Sequence, residues 1–326
     1  MKKLSLVLVS CLLITASCSG SDYDNVETQS TALTTSTPTI PDGKVLTPGG
    51  AILDRACVVE VPSGSKIDAA GNVLLANAIV GHYEPCKATT LSDSALGRSA
   101  LEPPTISHAW LDDTWANATT ISGLTYYNYL NAQWNVPQPP TTNGALLYFF
   151  PSFSNLSTAE IVQPVLQWGN NGSFGGNYWT IASWYCRGLS CAHSAPATVH
   201  SGNHLYGSMN IASPSYVIDI SYQVGNVVYA DSGFESPPTI GPFNTVQGGA
   251  LEAYNVTSCT QFPSDNTLDF SPIIVYQAGP HYYNYNLVNP VWSGQVDVDS
   301  NPNPSCDFTG TGWENLDNTS TAYISY

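Results

Sequence analysis

Positive charge is what this chain has least of: 8 Lys and Arg stand against 24 Asp and Glu in 326 residues, a formal net charge of −16. Beyond Arg98 the single basic residue is Arg187. Nucleic acids are held through lysine and arginine on their phosphates, so this class of partner is excluded. Acid unfolds many proteins by protonating carboxylates that were paired with cations, and such pairs are few here. Acidification relieves carboxylate self-repulsion instead, so tolerance of acidic medium is expected. Several motifs are missing as well. No cysteine lies in a CxxC metal or redox pattern. Around Ser173 the position two before is Asn171, so no nucleophile elbow forms. His200 and His204 are separated by Ser201-Gly202-Asn203, which reads as a turn rather than the helix a metal pair needs. Asp297 to Asn303 alternates oxygen-bearing side chains but has Pro302 where a calcium loop has its glycine. No metal and no cofactor are expected.

The long apolar run that is present lies at the start. Met1-Lys2-Lys3, the apolar stretch Leu4 to Ile14 and Thr15-Ala16-Ser17-Cys18 have the form of an export signal over residues 1–17, too short for a membrane span. Cys18 after small residues resembles a lipobox cysteine, so lipid attachment there is the expected membrane link; ordinary cleavage with release is the alternative. Residues 18–43, rich in Ser and Thr, read as a flexible tether. In an exported chain the remaining six cysteines, Cys57, Cys86, Cys186, Cys191, Cys259 and Cys306, read as three disulfides. The least entangled of the 15 connectivities pairs them in sequence order.

With 19 Tyr, 26 Gly, 23 Pro and few helix caps, the composition points to an all-β fold. Residues 44–104 carry short strands and form an N-terminal extension or a removable prosegment. From about residue 105 to 326, strand follows strand: Leu124 to Val136, Ala145 to Phe150, Ile161 to Trp168, Tyr178 to Tyr185, His204 to Ile211, Ser215 to Val224, Asn226 to Ala230, Leu251 to Val256, Leu268 to Val275 and Gly294 to Val298. The spacing predicts one sandwich of two antiparallel sheets.

Two polar residues interrupt apolar strands. Gln167 follows Val165-Leu166 and shares a face with Val165 if the strand alternates. Glu252 sits within Gly248-Gly249-Ala250-Leu251-Glu252-Ala253-Tyr254. A carboxylate that takes a proton from water, with an amide that donates to the oxyanion, is sufficient for hydrolysis if neighbouring strands present both.

The order Leu166-Gln167-Trp168-Gly169, Tyr178-Trp179, Trp184-Tyr185, Ser201-Gly202-Asn203, Glu252 and Leu268-Asp269-Phe270 resembles the eqolisin family of glutamic peptidases. Gln133-Trp134-Asn135-Val136-Pro137 is similar to that family's strand ending in Val-Pro. The resemblance spans roughly residues 110–276. It implies a concanavalin-like sandwich, or jelly roll, of two curved antiparallel sheets and an acid endopeptidase acting on polypeptides. In it Gln167 would hold the oxyanion, Glu252 would activate water, and Trp184 and Tyr185 would line the substrate cleft. Asn170-Asn171, Ala253 and Ser183 depart from the family's pattern around the dyad. A monomer, secreted or held in the cell envelope, is expected. The competing reading is a non-catalytic module that stacks sugars on residues such as Tyr282, Tyr283, Tyr285 and Trp292, or a surface lipoprotein.

Overall fold

A computed structural model describes residues 40–86, 110–118, 124–212, 214–278, 285–296, 306 and 308–326. The export signal, Cys18, most of the tether, residues 87–104, Asp297 to Asn303 and Tyr282 to Asn284 lie outside the described residues. Among those described there is no α-helix, and no helix long and apolar enough to cross a membrane.

Two large sheets stack as a β-sandwich. One hairpin, β1 (Lys44–Leu46) and β2 (Ile52–Asp54), stands apart from both large sheets. The first large sheet runs β20 (Ser293–Val296), β7 (Trp110–Asn117), β17 (Thr245–Tyr254), β9 (Leu146–Asn155), β10 (Glu160–Asn170), β11 (Gly175–Arg187), β12 (Ser190–Ser194) and β3 (Val58–Val61), with β13 (Ala197–Val199) on β11. The second runs β21 (Thr309–Glu314), β22 (Ser320–Ser325), β18 (Thr267–Ala278), β8 (Tyr126–Asn135), β14 (His204–Ala212), β15 (Ser215–Val224), β16 (Val227–Glu235), β4 (Ser65–Ile67), β5 (Asn72–Leu75) and β6 (Ala78–His82), with β19 (Tyr285–Val288) on β18.

The expected antiparallel pattern holds among the described strands with two exceptions, both made by residues 58–67. β3 adds in parallel to β12 and β4 adds in parallel to β16, so the sheets are mixed. The chain passes from one sheet edge to the other at Pro62-Ser63-Gly64. A direct crossing of that kind sets the direction of both added strands, and they cover edges that would otherwise be open. The three disulfides pair Cys57 with Cys86, Cys186 with Cys191 and Cys259 with Cys306.

The main core lies between the sheets, where Trp134, Phe149, Phe153, Tyr185, Phe234, Phe243 and Phe270 are buried. Each such side chain contributes about 1.5–3 kcal/mol by leaving water. A second apolar cluster lies on the outer face of the first sheet: Leu146, Tyr148, Phe150, Ile161, Val165, Ala182 and Trp184, roofed by Val45, Leu46, Leu53 and Val58. Apart from Val58, which belongs to β3, the roof is the β1–β2 hairpin, and it buries the outer face of this sheet as well.

Two prolines sit inside central strands, where each removes a ladder donor. The register of β9 and β10 shows how they are accommodated. Val162 pairs with Phe153 and Leu166 with Phe149, while the positions between them, including Pro151 and Pro164, are unpaired. Both prolines therefore share one gap in the ladder. Gln163 lies in the same gap.

Three buried titratable groups with displaced pKa values contribute to how stability depends on pH. Burial pushes the Asp112 carboxyl, with Asp113 beside it, up to about 8. Burial and a hydrogen bond with Asp231 do the same to Asp219. Both carboxyls hold a proton in the native state that the unfolded chain releases near 3.8. Their stabilising effect is thus complete below about pH 4 and is lost as pH rises toward 8. His193 acts oppositely: burial lowers it from 6.5 to about 4, so stability falls as pH drops through that window. Two groups outweigh one. Thermal unfolding scans from pH 4 to pH 8 are expected to give the highest Tm near pH 4 and a steady fall above pH 6.5. Asp112→Asn should remove roughly half of that fall, and a Tm that rises with pH would contradict the assignment.

Candidate functional site

Gln167 and Glu252 lie on β10 and β17, which are not neighbours as the sequence reading had them: β9 runs between. Tyr148 on β9 is the cross-strand partner of both, opposite Gln167 on one side and Glu252 on the other. The three side chains therefore form a row across one face, the outer face of the first sheet. Two strand spacings separate the ends of the row, about 10 Å between backbones. All three are buried.

Glu252 is wholly shielded from solvent. A buried carboxylate needs donors to offset the loss of water. Its two oxygens accept from the Gly49 backbone N–H at 2.8 and 2.9 Å, and one accepts from the Tyr254 hydroxyl at 3.3 Å. Tyr148 and Tyr254 are held well above the ordinary phenol range, first by burial and also by the nearby Glu252 charge. Both phenols stay protonated and serve as donors. The Tyr148 hydroxyl donates to the Leu46 carbonyl.

The Gln167 amide is fixed by the loop that follows it. Its Nε2 donates to the carbonyls of Gly169 at 2.9 Å and Phe174 at 3.2 Å, and its Oε1 accepts from Asn171 Nδ2 at 3.2 Å. The loop is in turn pinned by Asn171, whose Oδ1 accepts from the backbone N–H of Ser173 and Phe174. Gly169 and Gly175 hold positive φ and pack on backbone there. A Cβ on Gly175 would fall 2.2 Å from the Gly169 carbonyl oxygen and 2.5 Å from Gln167 Nε2.

Trp184 and Tyr185 do not share a face, as consecutive strand residues cannot. Trp184 lies on the row's face, buried beneath the hairpin among Phe174 and His193 at ring distances of 5.9 and 4.7 Å. Tyr185 points into the inter-sheet core, where its hydroxyl donates to Glu160 at 2.9 Å. His193 donates through Nδ1 to the Ser194 carbonyl, which leaves Nε2 to accept from Ser173 Oγ at 3.4 Å. His200 stands before a turn and His204 on β14, bonded to Asn135 and Gln133. Among the described residues no group of three His, Cys, Asp or Glu is arranged to hold a metal.

Four participants escaped the sequence reading: Gly49, Tyr148, Gln163 and Asn171. Gln163 was detectable in principle, because it has the same strand parity as Gln167 and is likewise an amide in an apolar strand. It is fully buried, and its Nε2 donates to the Pro48 carbonyl at 3.1 Å. Asn171, one of the departures from the eqolisin pattern, holds the Gln167 side chain.

No protein-family model matches the chain, and no curated protein matches it in sequence. Some solved structures align with it weakly. Scytalido-glutamic peptidase with a peptide-based transition-state analogue aligns at 15% identity and a TM-score of 0.41, covering 66% of this chain and 98% of its own. SCP-B, a member of the eqolisin family of peptidases in complex with the tripeptide Ala-Ile-His, aligns at 14% identity and a TM-score of 0.37 with the same coverage. An uncharacterised protein from Mycobacterium paratuberculosis aligns at 10% identity and a TM-score of 0.26, covering 65% of this chain and 80% of its own.

The Asn171 bonds give a stability prediction. Asn171→Ala removes its bonds to Gln167, Ser173 and Phe174 and leaves two backbone amides and the buried Gln167 oxygen without them. A loss of about 2–4 kcal/mol is expected in urea unfolding. Asn170, which is exposed and accepts from the Gly172 N–H, is the control: Asn170→Ala should cost under about 1 kcal/mol. Equal effects would mean that the loop is not organised by Asn171.

Proposed function

We propose that this chain is an exported, acid-active endopeptidase in which Glu252 is the general base and Gln167 the oxyanion donor. The observation that carries the reading is the row Gln167, Tyr148 and Glu252 on one sheet face, with a fully buried carboxylate at one end and an oriented amide at the other. The order of the surrounding motifs supports it independently.

A water bound at Glu252 loses a proton to the carboxylate as its oxygen attacks the scissile carbonyl. The carbonyl oxygen becomes an oxyanion, which Gln167 Nε2 stabilises by donation. To donate, the amide exchanges the longer of its two present bonds, the one to Phe174, for the substrate oxygen. The protonated Glu252 then gives its proton to the leaving amine and the C–N bond breaks. The hydroxyl of Tyr148, between the two, is a neutral donor throughout. The export signal, three disulfides and scarcity of cations fit a chain that works outside the cytoplasm, either released or held at the envelope through a lipid on Cys18.

One observation favours a second reading, a non-catalytic sandwich: both N–H groups of Gln167 already donate to backbone carbonyls. Digestion of denatured casein across pH 2 to 8 separates the two, using the exported chain after the hairpin over Glu252 has been released by proteolysis. Cleavage favoured by acid is expected, reduced about 10³-fold or more by Glu252→Gln and about 10²-fold by Gln167→Ala. Cleavage that survives Glu252→Gln, or none at any pH, would rule out the dyad.

A further inference from the structure

The β1–β2 hairpin touches the row with its backbone, not merely with its apolar side chains. Leu46 N–H donates to the Asn171 carbonyl at 2.9 Å, and the Leu46 carbonyl accepts from Tyr148. The Pro48 carbonyl accepts from Gln163, and Gly49 N–H donates to Glu252. These four contacts use both peptide N–H and C=O groups, the polar pattern that any extended polypeptide offers. Side chains add Val45 and Leu46, both buried against Leu146, Ile161 and Trp184. Gly49, at φ +101, turns the chain tip so that its N–H faces the carboxylate.

We propose that the face holding Gln163, Gln167, Tyr148 and Glu252 is a polypeptide-binding groove, now occupied by the chain's own segment Val45 to Gly50. Tyr148 and Gln163 are its carbonyl-binding residues, and the Gly49 amide stands where a water on Glu252 would have to sit. The occupant makes the molecule latent. That a substrate enters this groove rests on the peptidase reading; the groove and its occupant rest on the contacts alone.

Connectivity favours release. The hairpin meets the rest of the fold at Arg55 and Ala56, both exposed, and the Cys57–Cys86 disulfide lies beyond them. A single cut after Arg55 therefore leaves residues 40–55 joined to the body by non-covalent contacts only. Those contacts include Arg55 Nη2 on the Gly172 carbonyl and the packing of Lys44 against Gly172, where a Cβ would meet the Lys44 carbonyl oxygen at 2.2 Å.

The test uses the full exported chain carrying Val45→Asp and Leu46→Asp, which weakens the occupant's apolar hold, cut between Arg55 and Ala56 by a site-specific protease whose recognition sequence is inserted there. A fluorescent synthetic peptide with the natural sequence of residues 40–55 is added and its anisotropy measured. The expected result is saturable binding, weakened about 5- to 10-fold by Tyr148→Phe and by Gln163→Leu, each removing one hydrogen bond. A peptide bearing the two aspartates should not bind. Absence of binding by the natural peptide while circular dichroism shows intact strands would overturn the groove. Unfolding upon the cut would overturn it too, because the hairpin would then be an indispensable part of the core. Binding without casein cleavage in the same preparation leaves the groove standing and removes the peptidase reading instead.

Discussion

A carboxylate sealed from solvent, in a chain with almost no cations, has to be satisfied by groups that carry no charge. Glu252 is such a carboxylate, and its partners include a backbone amide and a phenol. The ion pairs found among the described residues lie elsewhere, at Lys44–Asp54, Lys66–Glu235 and Arg187–Glu160. Bringing an amide to Glu252 requires a backbone to approach the outer face of the first sheet, and the N–H points there from a residue at φ +101, a conformation that favours glycine. The glycine tip of the β1–β2 hairpin meets that requirement. The hairpin's apolar residues then follow, because a segment held at this spot must cover the valine, leucine and tryptophan side chains around the row or leave them in water.

The same constraint explains the flaw in the sheet. A fully paired strand at β10 would present its side chains at regular spacing and leave no slack for an amide to reach a carbonyl above the sheet. The opposed Pro151 and Pro164 open the ladder for a few residues, and Gln163 sits in that opening with its donor on Pro48. On the far side of β9, the Gly248-Gly249 irregularity in β17 shifts the register just before Glu252. A bulge re-aims the side chains beyond it. Without that shift the parity of β17 would turn Glu252 toward the inter-sheet core, away from Tyr148 and Gln167.

The fold class was legible because apolar alternation and turn residues are local. Each of the ten strands expected from residue 124 onward has a counterpart, usually a few residues longer. The strands that escaped are informative. Thr309 to Glu314 alternates Thr and Gly and has little apolar character; it exists because it pairs with Ser320 to Ser325 and lays its glycines against Asp112 and Trp292. Trp110 to Asn117 carries two adjacent aspartates and is not among the expected strands, yet Asp112 is buried and its protonated form is what the interior accepts. The two ends of the row, Gln167 and Glu252, were visible as polar interruptions in apolar strands. Their mutual position was not, since it depends on β9 inserting between β10 and β17. Tyr148 in Leu147-Tyr148-Phe149 reads as one more core aromatic, and Gly49 as one more turn glycine.

Uncharged donors also fix what pH can change at this site. Backbone amides and the Gln167 and Asn171 side chains do not titrate in the acid range, and Tyr148 and Tyr254 are pushed further from it by burial. His193, packed on Trp184 beside the row, stays neutral down to about pH 4. A site built with lysine or arginine would hold its carboxylate by charge attraction, which weakens with salt and disappears once the carboxylate is protonated. Here every donor to the row persists from neutral into acidic medium, and His193 beside it takes up a proton only near pH 4. The low cation count, read first as a reason for acid tolerance of the whole fold, applies at the row as well: Glu252 accepts there from a backbone amide and a phenol, groups that carry no charge.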